Sequence, residues 1–297
     1  MSLEEKLISW TKPSSDTEQE KQERTERMIR EAISSHRAFD GCNLEIYAKG
    51  SYANNTNVRS DSDVDIAVEC TEVFYWEKAE EIPPPIGAPY TGVWTPDKLR
   101  EELVFAMEAE FGEQVDPTGS TAIQINSSSA RVDADVVPCF TYRYYMETGF
   151  REGTAIFKKD GSSLVNYPKK QLENGRIKNN RTNHSYKKGA RLLKRIENEM
   201  AEKGLFRELP SYFMECLAYN CPDEVFMHET WTECLKAMLR HIFKELQDDE
   251  PVLNRWVEVN EYSDLFHADQ EWSRKDGREF AKIAWNYLGL KNAKYKF

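Results

Sequence analysis

The first forty positions are mostly polar, with apolar residues recurring at helical spacing. Ser15 and Glu18 form a capping box, and Met28, Ile29, Ala32 and Ile33 make a narrow apolar stripe, so residues 15–38 read as one long helix. Positions 44–48 read as a short strand ended by Gly50. Over 63–68 acidic and apolar residues alternate, which is strand periodicity. Residues 72–95 are rich in proline, glycine and aromatics and read as a loop or insertion. Thr95 as N-cap and Pro96 at the first helical position start a helix to about Phe111. Strands are expected at 121–125 and 131–140. After about residue 170 the pattern changes, and helical stretches dominate at roughly 183–203, 211–220, 223–247 and 269–289.

These elements predict a mixed α/β chain of two parts: residues 1–160 holding one sheet and an N-terminal helix, and residues 161–297 forming a helical lobe. A cleft between two such halves is a common ligand site. The 297 residues include 40% hydrophobic ones, enough for a core and against a disordered chain. Lys plus Arg number 40 and Asp plus Glu 51, a net charge of −11, which disfavours a dedicated binder of long nucleic acid. No apolar run approaches the roughly 18–20 residues of a membrane span, and the charged start MSLEEKLISW lacks a signal peptide's apolar stretch. The cysteines, Cys42, Cys70, Cys139, Cys216, Cys221 and Cys234, are dispersed without a CxxC pair, so neither a zinc site nor a disulfide framework is expected. A cytoplasmic protein is the expectation.

The densest chemistry lies in Gly50-Ser51-Tyr52-Ala53-Asn54-Asn55-Thr56-Asn57, followed by Asp61-Ser62-Asp63-Val64-Asp65-Ile66. On a strand, Asp63 and Asp65 share one face while Val64 and Ile66 take the other. Adjacent carboxylates repel, so a strand that presents both usually holds a cation, and oxygen-only ligands select Mg²⁺ or Mn²⁺. Gly50-Ser51, in a tight turn after a strand, can cradle a phosphate with backbone N–H groups and a hydroxyl. Each part alone has an ordinary explanation, a cheap turn or a solvated edge strand, and their combination points to nucleotidyl transfer. Asp133 and Asp135 repeat the acidic alternation, and a third carboxylate on a neighbouring strand would let two metals be bridged. An edge strand guarded by charge is the alternative.

GSYANNTN and SDVDIAV, followed by VDADVVP, resemble the polymerase-β-like nucleotidyltransferases, within them the cGAS/DncV-like branch of bacterial cyclic nucleotide synthases. The resemblance implies a nucleotidyltransferase lobe with a central sheet and a C-terminal helical lobe like that of oligoadenylate synthetase. Carried over residue by residue, Gly50 and Ser51 match the phosphate-binding pair, and Asp63 and Asp65 the first metal pair. The third metal carboxylate of the family precedes two apolar residues and often proline, which fits Asp135-Val136-Val137-Pro138 better than Asp133. Asp135 would also activate the attacking ribose hydroxyl.

Lys187, Arg191 and Lys194 recur at helical spacing, and a solvated basic face would explain them by itself. In the relatives a lysine matching Lys194 reaches the donor triphosphate, and Lys187 is its companion as a nucleotide contact. Ser211-Tyr212 resembles the relatives' polar-aromatic pair, the hydroxyl on phosphate and the ring on the donor base; a helix cap and a core aromatic are the plain alternatives. Asn166 lies where pyrimidine-accepting CdnE-type enzymes place a base-reading residue, though an Asx turn before Pro168 would also use it. The zinc insertion and basic platform of the animal DNA sensor are absent.

The reading is therefore an enzyme that joins nucleoside triphosphates, of the ATP or UTP kind, into a cyclic dinucleotide or small cyclic oligonucleotide, using two Mg²⁺ or Mn²⁺ ions per active site. The resemblance implies a second messenger in bacterial anti-phage defence, a downstream effector that receives it, and room for regulatory partner proteins. A nucleotidyltransferase with an RNA or protein acceptor, or a non-catalytic nucleotide-binding module, are the alternatives.

Overall fold

The computed structural model describes all residues except 59–62, 86, 88, 248, 250 and 291–297. The Asp61-Ser62 step of the loop motif and the tail from Asn292 lie outside the described residues. The chain divides into two compact units: Ser14–Ala53 with Arg59–Lys170, and Met1–Pro13 with Asn54–Val58 and Gln171–Phe297. The expected boundary after residue 160 thus falls ten residues later, and the first helix and a five-residue loop segment group with the helical unit.

In the first unit the alternation of apolar residues builds one mixed sheet. Its strands are β1 (Leu44–Lys49), β2 (Val64–Lys78), β3 (Val115–Asp116), β4 (Ile123–Ile125), β5 (Ala134–Tyr145), β6 (Phe150–Phe157) and β7 (Ser163–Asn166). The order is β1-β2-β5-β4-β3, and β6 pairs with the far end of β5 and with β7. β2 and β5 run parallel; the other pairs are antiparallel. Because side chains alternate along a strand, Val64, Ile66 and Val68 of β2 and Ala134 and Val136 of β5 enter a core with Ile29 and Ile33 of α2 (Asp16–Ser35) and Leu99, Leu103 and Met107 of α4 (Pro96–Phe111). The intervening positions carry Asp65, Ala67, Glu69, Asp135, Val137 and Cys139.

Both expected caps are present: Ser15 and Glu18 close a capping box, and Thr95 accepts from the Lys98 N–H with Pro96 in the first turn. The expected loop over 72–95 is corrected in its first part. β2 continues to Lys78, because a register shift between Cys70 and Phe74 lets Phe74, Tyr75 and Trp76 resume pairing with β5.

The helical unit packs α1 (Leu3–Trp10), α6 (Tyr186–Glu202), α7 (Ser211–Asn220), α8 (Trp231–Glu245) and α9 (Arg274–Tyr287) around Leu193, Ile196, Phe213, Leu217, Met238 and Phe280. α5 (Pro168–Arg181), which the sequence reading passed over, leads into it. The expected helix over 223–247 is broken: a 3-10 turn follows Pro222, and α8 starts only after Thr230, its cap. Trp256 lies outside any helix and is buried. Among the described residues the six cysteines are free, and no helix is long and apolar enough to cross a membrane.

Candidate active site

The parallel pairing of β2 and β5 sets the site. Its register places Asp65 beside Asp135, between the apolar pairs Val64–Ala134 and Ile66–Val136. Burial pushes the Asp135 carboxyl above its ordinary pKa, and the Asp65 charge adds to the shift, while Gln124 on β4 and Lys49 oppose it. The Lys49 ammonium stands 3.7 Å from Asp65 Oδ1. Two carboxylates held together against repulsion are the donor set of a hard divalent cation, so the pair fits Mg²⁺ or Mn²⁺.

Asp63 differs from its expected place. It is exposed and sits one residue before β2, whose first ladder bond is the Val64 N–H to the Asp133 carbonyl, 3.0 Å. The strand pleat therefore does not orient its side chain. Among the described residues no three His, Cys, Asp or Glu side chains stand as a preformed metal cluster. Asp133 accepts the Ser127 N–H and ties down a loop, whereas Asp135 sits beside Asp65.

Gly50 occupies φ +68°, and a Cβ there would stand 2.1 Å from Asp65 Oδ2. Glycine is what lets the turn pass over the carboxylate. Ser51 follows in the single-turn helix α3 (Gly50–Ala53) and is half-buried.

The helical residues depart further from expectation. Lys187, Arg191 and Lys194 do not form a solvated basic face: Arg191 and Lys194 are buried and Lys187 is half-buried. Burial lowers the Lys187 pKa against the pull of Glu215, and Arg191 and Arg176 lower it further. Lys194, expected at the donor triphosphate, lies in a buried pair. Its ammonium is enclosed, 2.8 Å from Glu215 Oε2 and 3.0 Å from Thr56 Oγ1. Ser211 is exposed at the first position of α7; Pro210 precedes it as the cap, so the serine is not the plain cap weighed above. Tyr212 packs on the helical core and donates to Glu258 Oε2, 3.3 Å. Asn166 is exposed at the end of β7, and its carbonyl accepts from Thr154 Oγ1.

Sequence reasoning missed Lys49, Gln124 and Glu215. The first two become neighbours of the carboxylates only through pairing with β2 and β5. Glu215 had a signal in the apolar run Phe213-Met214-Glu215-Cys216-Leu217, where a lone charge must find a buried partner.

A mixed sheet with paired carboxylates under a Gly-Ser turn, joined to a C-terminal helical part, is the architecture of a polymerase-β-like nucleotidyltransferase. The cGAS/DncV-like nucleotidyltransferase C-terminal helical domain is recognised over residues 173–289. The cyclic dipyrimidine nucleotide synthase CdnE of Cecembia lonarensis is 35% identical across 96% of this chain and 98% of its own length. The structure of the Elizabethkingia meningoseptica CdnE cyclic dinucleotide synthase with GTP and Apcpp superposes with a TM-score of 0.81 at 30% identity, covering 98% of this chain and 100% of that one. That of the Rhodothermus marinus CdnE c-UMP-AMP synthase with Apcpp and Upnpp gives 0.81 at 27% identity, covering 99% of both. The chain belongs to the cGAS/DncV-like nucleotidyltransferases, and it is a cyclic nucleotide synthase whose substrates are nucleoside triphosphates.

Proposed function

We propose that this enzyme makes a uridine-containing cyclic dinucleotide or small cyclic oligonucleotide, a second messenger in bacterial anti-phage defence. The observation that carries the chemistry is the Asp65–Asp135 pair beneath the Gly50 turn. The base choice is supported by the dipyrimidine and c-UMP-AMP products named for two relatives, and by Asn166.

In this reading Gly50 and Ser51 hold the donor phosphates with backbone N–H groups and a hydroxyl. Lys187 adds positive charge to them, Ser211 a hydroxyl, and Tyr212 a ring face for the donor base. Two Mg²⁺ or Mn²⁺ ions held by Asp63, Asp65 and Asp135 would neutralise the charge that develops on the transferred phosphoryl group. Asp135, its proton affinity raised, takes the proton of the attacking ribose hydroxyl. The new ester bond forms at the α-phosphorus, the α–β bridging P–O bond breaks, and pyrophosphate leaves. A second round on the linear product closes the ring. Charge neutralisation and positioning supply the acceleration. The free cysteines support a reducing cytosol as its place of work.

The test is a product assay with all four ribonucleoside triphosphates, each labelled in turn on the α-phosphate, and Mg²⁺ or Mn²⁺. A phosphatase-resistant small product that contains uridine, absent with Asp63→Asn plus Asp65→Asn, is expected. Label on RNA or protein with no small product would overturn the reading.

A further inference from the structure

We propose that Glu215, acting with Lys194, Thr56 and Asn54, is a positioning residue that fixes the Gly50–Ser51 phosphate turn; the proposal rests on the nucleotidyltransferase reading of that turn. The Asn-rich tail of the loop motif has no part in the chemistry above, yet the structure buries it. Asn54 and Thr56 are fully enclosed and Asn57 nearly so, in a connecting segment where exposure is the rule.

The reason lies on α6 and α7. Asn54 Nδ2 donates to Glu215 Oε1, and Thr56 Oγ1 donates to Glu215 Oε2 at 2.6 Å. Lys194 Nζ supplies the counter-charge to Glu215 and a further bond to Thr56 Oγ1. Between them Asn55 takes φ +51°, and its carbonyl accepts from Arg191 Nη1, whose Nε donates to the Thr11 carbonyl. Asn54 also lies against Gly175 of α5, where a Cβ would come within 2.8 Å of Asn54 Oδ1. Three consecutive residues are thus held by side chains of the helical unit, starting three positions after Ser51.

A buried Lys–Glu pair is an uneconomical way to stabilise a core, since apolar residues of the same volume do as well or better. What such a pair does supply here is direction. Both carboxylate oxygens are spent on loop side chains, so the segment has one bonded arrangement. A Ser51 held in place meets the donor phosphates without first being ordered, and a misplacement of about 1 Å in such a group can cost a hundredfold in rate.

Thr56→Val keeps the shape and deletes the hydroxyl, and Thr56→Ser restores it. Steady-state rates and melting temperatures would be measured for both, for Ser51→Ala, and for Ser51→Ala with Thr56→Val. The expected results are a fall in kcat of about tenfold or more for Thr56→Val, recovery with Thr56→Ser, and a Thr56→Val penalty reduced at least roughly threefold in the Ser51→Ala background. Additive penalties in the double variant, or an unchanged kcat beside a lowered melting temperature, would overturn the proposal while leaving the turn's role standing. Wild-type turnover by Ser51→Ala would overturn the turn reading and the proposal with it.

Discussion

Asp65 and Asp135 stand side by side across the parallel β2–β5 ladder, and the charge of one raises the proton affinity of the other. The pair therefore opposes folding when no cation is present. For Asp135, burial is the larger cause and Asp65 the second. A carboxyl whose folded pKa lies above its unfolded one favours the folded state at low pH. That contribution is lost as the pH rises through the folded pKa.

Asp65→Asn should accordingly raise the melting temperature of the metal-free protein at neutral pH while abolishing product. A gain of roughly 1 kcal/mol would appear as about 2–4 °C. Mg²⁺ or Mn²⁺ should raise the melting temperature of the wild type by mass action and that of the variant much less. Thermal scans with and without the ion check both; a variant that melts lower without metal would mean that the two carboxylates do not strain the fold.

Gly50→Ala tests the turn. The added methyl group meets Asp65 Oδ2 in a backbone conformation that disfavours a side chain, so the carboxylate or the turn must shift. The strain should cost roughly 1–3 kcal/mol of stability and at least about a hundredfold in kcat/KM. Product formation and a melting curve decide it, and wild-type activity would show that the close approach is not needed.

The sheet was legible where one face is apolar and the other polar: 44–48, 64–68 and 134–140 of the expected ranges lie in strands. Caps were legible because they are local; Ser15, Thr95 and Pro96 act on residues within one turn. The continuation of β2 past Cys70 was not, since a bulge breaks the two-residue period where Glu72 enters. The helical unit shows the same limit in its charges. Spacing correctly put Lys187, Arg191 and Lys194 on neighbouring turns but could not say that this side of α6 is buried, because the residues that receive it, Thr11, Asn55, Thr56 and Glu215, are distant in sequence. Asp65 and Asp135 could be paired only through the family resemblance, since parallel register is set by the whole sheet.

Glu215 ties acid stability to the helical unit. Burial alone would raise its pKa, but the Lys194 ammonium and the hydrogen bonds from Lys194, Thr56 and Asn54 outweigh it, and the carboxyl ends below its ordinary range. Its stabilisation is thus present above the unfolded carboxylate pKa and lost as pH falls through the lower, folded value. Glu215→Gln should cost roughly 3–5 kcal/mol near pH 7, because Lys194 is left buried without its counter-charge. The gap to the wild type should close in strong acid, where a protonated Glu215 resembles glutamine. Denaturant titrations across that range measure it, and a gap that stays constant with pH would show that the pair is not ionised.

The base preference should follow Asn166. Its backbone is pinned on both sides: the carbonyl accepts from Thr154 Oγ1, and three residues on, Lys169 pairs with Glu69 at 3.0 Å and Glu45 at 2.7 Å. The side chain is exposed on a fixed backbone. An amide offers a donor and an acceptor side by side, which matches the N3–H and carbonyl edge of uracil, whereas a serine hydroxyl serves a single partner well. Losing one or two such bonds costs about 1–2 kcal/mol. Asn166→Ser should therefore lower kcat/KM for UTP about tenfold relative to ATP and leave the melting temperature nearly unchanged, since the exposed amide contributes little to the fold. Competition between differently labelled UTP and ATP reads the ratio directly. If the ratio holds while total turnover falls, the residue contacts the nucleotide without reading its base, and uridine selection must come from another part of the site.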